Sequence, residues 1–147
     1  ANSQNENRNI DLFFIVFKWI ITFSIIFIVP FSIFANPISL LLFGEQYIGI
    51  SFLIVVLCIS SLFSGLNSLI LNAFAGDGIY KYSSLSSTIS FLLVFLLGFT
   101  LIPLYGINGA SFAQLITSII TFVFCLYKYM SIHRIRIKSF YKLIADQ

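Results

Sequence analysis

The sequence is short of charged residues, and this shortage decides the class of protein. Only 9% of its 147 residues are Asp, Glu, Lys or Arg, whereas an ordinary soluble domain carries about 25%. Hydrophobic residues make up 59%, and the mean hydropathy is +1.03. So few charges cannot cover a water-facing surface, which excludes an ordinary soluble domain. The sequence therefore predicts an integral membrane protein.

Residues that support catalysis or metal binding are also scarce. The single histidine, His133, lies in a basic tail and is interpreted as solvated or in contact with lipid headgroups. Gly-rich phosphate loops, nucleophile motifs and metal-ligand clusters are lacking, so the sequence predicts no enzyme, no metal and no cofactor. Cys58 and Cys125 are expected at depths roughly 12 Å apart, too far for a disulfide, and are interpreted as small apolar fillers.

Long apolar runs are what the sequence does contain. A helix that spans a bilayer needs about 20 mostly apolar residues. No run alternates polar and apolar residues, which favours helices over the strands of a barrel. The predicted fold is all-α, an integral membrane helical bundle within residues 10–130, with four transmembrane helices at about 12–35, 48–74, 83–102 and 107–130.

Shorter segments flank and connect these runs. Residues 1–9 are predicted to be a polar, poorly ordered cytoplasmic linker, and residues 131–147 a basic cytoplasmic tail. The segment 37–43 is too short to span and is interpreted as an interfacial helix or a helix extension. Pro103–Gly106 is predicted to break the third helix.

Basic residues are confined to one side of the predicted membrane. Four spans place both termini and the 75–82 loop on one side, together with all eight Lys and Arg residues, counting Lys18 just inside the membrane. The connections at 36–47 and 103–107 carry none. Both termini are therefore predicted to be cytoplasmic. The basic tail fits this flank, so a nucleic-acid partner is not predicted.

Polar and small side chains inside the spans are the candidate functional residues. Stripes of such residues either pack helices together or form the wall of a polar transport path. A carboxamide that faces lipid is costly, which favours a transport path for the Asn and Gln residues. The candidate pathway residues are Lys18, Asn67, Asn72 and Gln114. Asn67 and Asn72 lie with Ser61, Ser64 and Ser68 on the second helix. The candidate helix-packing residues are Gly65, Gly106, Gly109, Ala110 and Ala113.

Lys18 is the only formal charge well inside a predicted span. At the bilayer centre a lysine costs about 2.5–3.5 kcal/mol on insertion scales. It lies beside Trp19 and about six residues from the cytoplasmic start of its helix, so one interpretation is that its ammonium extends back to the headgroups. The other interpretation makes Lys18 an anion-binding residue that faces a cavity.

Three segments resemble, in their order and spacing, those of polysaccharide biosynthesis exporters, the O-antigen-type oligosaccharide–lipid flippases of the MATE-like superfamily. Pro37–Tyr47 resembles that family's P-I-x-x-L-L-F-G-x-x-Y segment, and Leu71–Gly76 is similar to its next short turn. Pro103–Ala110 resembles its Y-G-I-x-G-A turn. The resemblance covers about residues 10–130. It departs at Asp77, which stands where the family has a basic residue.

This resemblance implies that the four helices are helices nine to twelve, within the second lobe of a transporter with twelve or more helices. The implied function is movement of lipid-linked oligosaccharide, the repeat unit of a polysaccharide, across the inner (cytoplasmic) cell membrane. The implied partners are the lipid bilayer, the lipid-linked substrate and the remaining helices of the parent transporter, on the same or another chain. Because the chain opens on Ala rather than Met, it is expected to have lost its true N-terminus. No signal peptide is indicated, and either the chain is a fragment or its partner halves are on another chain.

Two other functions remain open from the sequence. A small four-helix membrane scaffold or assembly protein would be complete at this length. A multidrug exporter of the same superfamily usually needs carboxylates within the membrane, and none of the acidic residues falls in a predicted span.

Overall fold

A computed structural model describes the backbone of residues 2–43 and 50–133, and the side chains of residues 12–41 and 51–133. Within these ranges the chain forms helices and no strand, which confirms the predicted all-α class. The helices are α1 (Asn2–Ile33), α2 (Ala35–Phe43), α3 (Ile50–Gly76), α4 (Tyr80–Tyr105) and α5 (Ile107–Ile132).

Four of these helices are long and apolar enough to cross a membrane. The spans are Leu12–Ile33 in α1, Ser51–Gly76 in α3, and the whole of α4 and α5, with mean hydropathies from 1.8 to 2.6. At 1.5 Å per residue, a 26-residue helix is roughly 39 Å long, enough to cross a hydrocarbon core of about 30 Å. The prediction of a multi-pass membrane bundle is confirmed.

Two helix ends differ from the sequence prediction. α1 begins at Asn2, so residues 2–9 are helical rather than an irregular linker. Lengthening an existing helix needs no new nucleus, and this stretch contains neither Gly nor Pro to stop it. α4 runs through Pro103 to Tyr105. Pro103 lies in the last turn and removes only one backbone donor there, so the break falls at Gly106 instead.

α2 continues α1 after a single intervening residue, Phe34. The N–H of Phe34 donates to the carbonyl of Pro30 at 2.8 Å, and the N–H of Ile38 donates to the carbonyl of Phe34 at 2.9 Å. α2 packs against α3, where the hydroxyls of Ser39 and Ser51 lie 2.9 Å apart. Of the two interpretations of segment 37–43, this geometry favours the helix extension.

α5 lies between α3 and α4, while α1 packs on α3. The buried apolar cluster lies near the start of the apolar span of α1 and the ends of α3 and α5. Its rings include Phe13 and Tyr129, stacked with centroids 4.3 Å apart. Because lipid tails are as apolar as these side chains, close van der Waals packing holds the helices together rather than escape from water. An aromatic pair of this kind contributes about 0.5–1.5 kcal/mol.

A single residue, Gly106, joins α4 to α5. Its φ of 58° and ψ of −135° lie in a region that residues with a Cβ rarely adopt. Its N–H donates to the carbonyl of Ile102 at 2.8 Å, and its own carbonyl accepts from the N–H of Gly109 at 3.0 Å. A Cβ at Gly109 would overlap the backbone carbonyl of Leu101 in α4. Glycine at position 109 therefore lets α5 lie directly against the α4 backbone.

Candidate functional site

Hydroxyl and thiol side chains attach α5 to both of its neighbours. The hydroxyls of Ser60 in α3 and Ser118 in α5 lie 3.0 Å apart. The thiol of Cys125 donates to the hydroxyl of Ser86 in α4 at 3.0 Å. Both cysteines are free thiols, as predicted, but Cys125 is a hydrogen-bonding residue rather than a simple apolar filler. Contacts between polar side chains in membranes contribute about 0.6 kcal/mol on average.

The predicted helix-packing residues divide between contacts and exposed positions. Gly109 and Ala113 are buried in α5. A Cβ at Gly65 would lie 3.9 Å from the side chain of Ile20, which places Gly65 at the contact between α3 and α1. Gly106 forms the turn and Ala110 faces outward, and both are exposed. Within the described bundle, these last two do not pack helices together.

α3 carries a polar stripe on an exposed side. Ser61, Ser64, Ser68 and Asn72, here called the α3 stripe, recur three or four residues apart and are all exposed. The hydroxyl of Ser61 donates to carbonyls of its own helix, at 3.2 Å and 3.3 Å. The α5 contact uses a different side of α3, which includes Ser60 and Phe63. The described bundle therefore presents a polar surface outward at membrane depth.

Asn67 does not belong to that stripe. It is half-buried, and its Oδ1 is fully buried with no hydrogen-bond partner among the described residues. Thr117 in α5 has a buried hydroxyl oxygen that likewise lacks a partner in the described part of the chain. A buried acceptor left unpaired costs about 1–3 kcal/mol. Burial of each of these two atoms therefore carries a cost that no described hydrogen bond offsets.

Lys18 and Gln114 lie on two other helices, and both are exposed. Lys18 points away from the buried side of α1, beside Ile15, Trp19 and Thr22. The hydroxyl of Thr22 donates to the Lys18 backbone carbonyl at 2.9 Å, and no described carboxylate pairs with the ammonium. The four predicted pathway residues therefore do not form a single site.

A cluster at the ends of α3 and α5 was not anticipated from the sequence. Nε2 of His133 lies 3.1 Å from Oδ2 of Asp77, which follows α3 directly. The Tyr129 ring lies 4.5 Å from the His133 ring, between centroids. His133 is thus paired with a carboxylate rather than simply solvated. Both residues were predicted on the same side of the membrane, but only the packing of α3 on α5 brings them into contact.

A groove of about 320 Å³ lies beside this pair. We call it the interface groove; it is bounded by α1, α3 and the end of α5, and its lining residues include Leu12, Phe13, Val16, Asn72, Asp77 and His133. The described residues contain no group of three or more His, Cys, Asp or Glu side chains that could hold a metal ion. Asn72, Asp77 and His133 offer hydrogen bonding and charge at the groove.

Comparison with known proteins gives no match: no family model, curated protein or solved structure matches the chain. The resemblance to the exporters rests on the three sequence segments alone. Of these, Leu71–Gly76 forms the end of α3, and Pro103–Ala110 forms the turn at Gly106. Residues 44–47 of the first segment lie outside the described residues.

Proposed function

We propose that this chain is the C-terminal part of an exporter that moves lipid-linked oligosaccharide across the cytoplasmic membrane, with both termini in the cytoplasm. The α3 stripe is the observation that carries the proposal, because it exposes four polar side chains on the outside of a hydrophobic span. A sugar that crosses hydrocarbon needs a wet, polar wall between helix bundles. The stripe is suited to form one side of such a wall.

The charged residues of the spans favour this proposal over the alternative of a multidrug exporter. The four spans contain no Asp or Glu, and of their three lysines, Lys18, Lys81 and Lys128, Lys18 lies furthest from a span end. A cation inside the membrane suits an anionic lipid carrier, whereas a cation-coupled multidrug exporter usually needs carboxylates there. The exporter of lipid-linked oligosaccharide is therefore favoured over the multidrug exporter.

Apolar substitutions in the α3 stripe should impair export. We expect the double variant Ser64→Leu, Ser68→Leu in the parent transporter to lower surface polysaccharide roughly tenfold, which corresponds to a loss of about 1.4 kcal/mol of substrate interaction. The reason is that two groups that hold water or sugar are replaced by side chains that exclude both. Surface polysaccharide is measured at equal membrane abundance of the protein.

The matched control makes the same chemical change on another exposed helix. Thr88 and Thr100 are exposed hydroxyl residues of α4 that bond only to their own helix. The double variant Thr88→Leu, Thr100→Leu should leave export unchanged. Equal export by the two double variants would contradict the proposed role of the stripe.

The proposed orientation predicts which positions a membrane-impermeant thiol reagent reaches from outside. In a background without Cys58 and Cys125, we expect Glu45→Cys to be labelled in intact cells and Lys81→Cys to be labelled only after the cells are opened. The reason is that Lys81 lies on the side that carries the basic residues. Glu45 itself lies outside the described residues. The opposite labelling pattern would reverse the orientation.

A further inference from the structure

The interface groove lies where the membrane meets water. Leu12 begins the apolar span of α1, and Gly76 ends that of α3. Both residues line the groove, whose apolar side also includes Val16 and Leu69. Its polar end is formed by Asn72, Asp77 and His133. The groove is therefore amphiphilic, with its polar end toward the aqueous side.

Hydrogen-bond acceptors in the groove have unused capacity. Oδ2 of Asp77 contacts His133, whereas Oδ1 accepts no hydrogen bond from any described residue. The Asn72 carboxamide and the Tyr129 hydroxyl also have no hydrogen-bond partner within the described part of the chain. A carboxylate offers about four lone-pair sites, so the contact with His133 does not saturate it. Three groups that can accept from a ligand thus line one groove.

Among the described residues, the electrostatics of the groove favour a cation. α3 and α5 run in the same direction and both end here, and each helix C-terminus carries roughly −0.5 of an elementary charge. Asp77 adds a full negative charge. His133 opposes it only when protonated, and Lys128, which does not line the groove, lies 5.8 Å from the ring centroid of Tyr82.

We propose that the interface groove binds the headgroup of a membrane aminophospholipid, such as phosphatidylethanolamine. A primary ammonium has three N–H donors, which match the acceptor oxygens of Asp77, Asn72 and Tyr129. The acyl chains then lie along Leu12, Val16 and Leu69. This inference concerns a lipid of the surrounding membrane and not the exported cargo; it shares Asn72 with the α3 stripe but does not require the proposed export function.

Lipid binding to the purified full chain tests this site. Native mass spectrometry in detergent is used to titrate the protein with palmitoyl-oleoyl phosphatidylethanolamine or with the matching phosphatidylcholine. The trimethylated ammonium of phosphatidylcholine keeps the charge but has no N–H donor. We expect phosphatidylethanolamine to bind about tenfold more tightly, because only its ammonium can donate hydrogen bonds to the groove.

Two variants disturb the groove in independent ways. Asp77→Asn removes the charge and should abolish the preference between the two lipids. Gly76→Leu should weaken phosphatidylethanolamine binding about tenfold by filling the groove, because a Cβ at Gly76 meets no atom within 4 Å. Gly76→Leu leaves the contact between Asp77 and His133 in place. It therefore tests the proposed lipid site by itself if Asp77→Asn does not fold.

The control variant is Lys81→Gln, which removes an exposed charge near the same boundary without touching the groove. It should keep the preference for phosphatidylethanolamine. Equal binding of the two lipids by the unaltered chain would overturn the inference, as would unchanged phosphatidylethanolamine binding by Gly76→Leu.

Discussion

Replacement of Gly109 by alanine is expected to destabilise the folded bundle by roughly 1–3 kcal/mol or more. The added Cβ would overlap the carbonyl oxygen of Leu101. The obstacle is backbone rather than a movable side chain, so α4 and α5 must separate. The measurement is thermal unfolding of the purified protein in detergent, with the monodisperse fraction as a second readout. A leucine at this position should reduce the folded yield further.

The next residue provides the control for this prediction. Ala110 is exposed, so Ala110→Leu should change stability by no more than about 0.5 kcal/mol. A comparable loss of stability in both variants would show that the crossing of α4 and α5 does not depend on the missing side chain at position 109.

Replacement of Lys18 by glutamine in the parent transporter should lower export roughly tenfold while membrane abundance stays unchanged. The ammonium has no described carboxylate partner, and the Cα atom of Lys18 lies about 9 Å beyond that of Leu12 along α1. The proposed function gives it an anionic group of the lipid carrier to bind. Loss of a charged hydrogen bond costs about 1.5–3 kcal/mol, which is tenfold or more.

Arginine at position 18 should restore part of the export, because it keeps the charge and adds donors in a fixed plane. Lys81→Gln, at an exposed site outside the proposed path, should export normally. If Lys18→Gln also exports normally, then Lys18 only extends to the headgroups, and removal of its charge merely relieves a cost of burial.

Much of the fold follows from the sequence, because long apolar runs leave the chain few alternatives. The four spans lie within a few residues of the predicted helices. The differences are at helix ends, where opposing local effects on helix stability decide which residue is the last. At Pro103 the loss of one donor in a final turn costs less than an early stop, and near Asn2 helix propagation outweighs the polar composition.

The sites were less predictable, since periodicity shows which residues share a face but not what covers that face. The serines of the α3 stripe and the small residues of α5 form similar patterns, yet Ser64 is exposed and Ala113 is buried. The contact between Asp77 and His133 joins residues 56 positions apart. These two residues meet only because α5 packs beside α3.

The single-residue turn at Gly106 bears on how this protein enters its membrane. α5 has the lowest mean hydropathy of the four spans, 1.8, because hydroxyl residues occupy its buried side. Such a helix inserts less favourably on its own. Because a single residue separates them, we expect α4 and α5 to enter the bilayer as one unit, so that the more apolar α4 assists the insertion of α5.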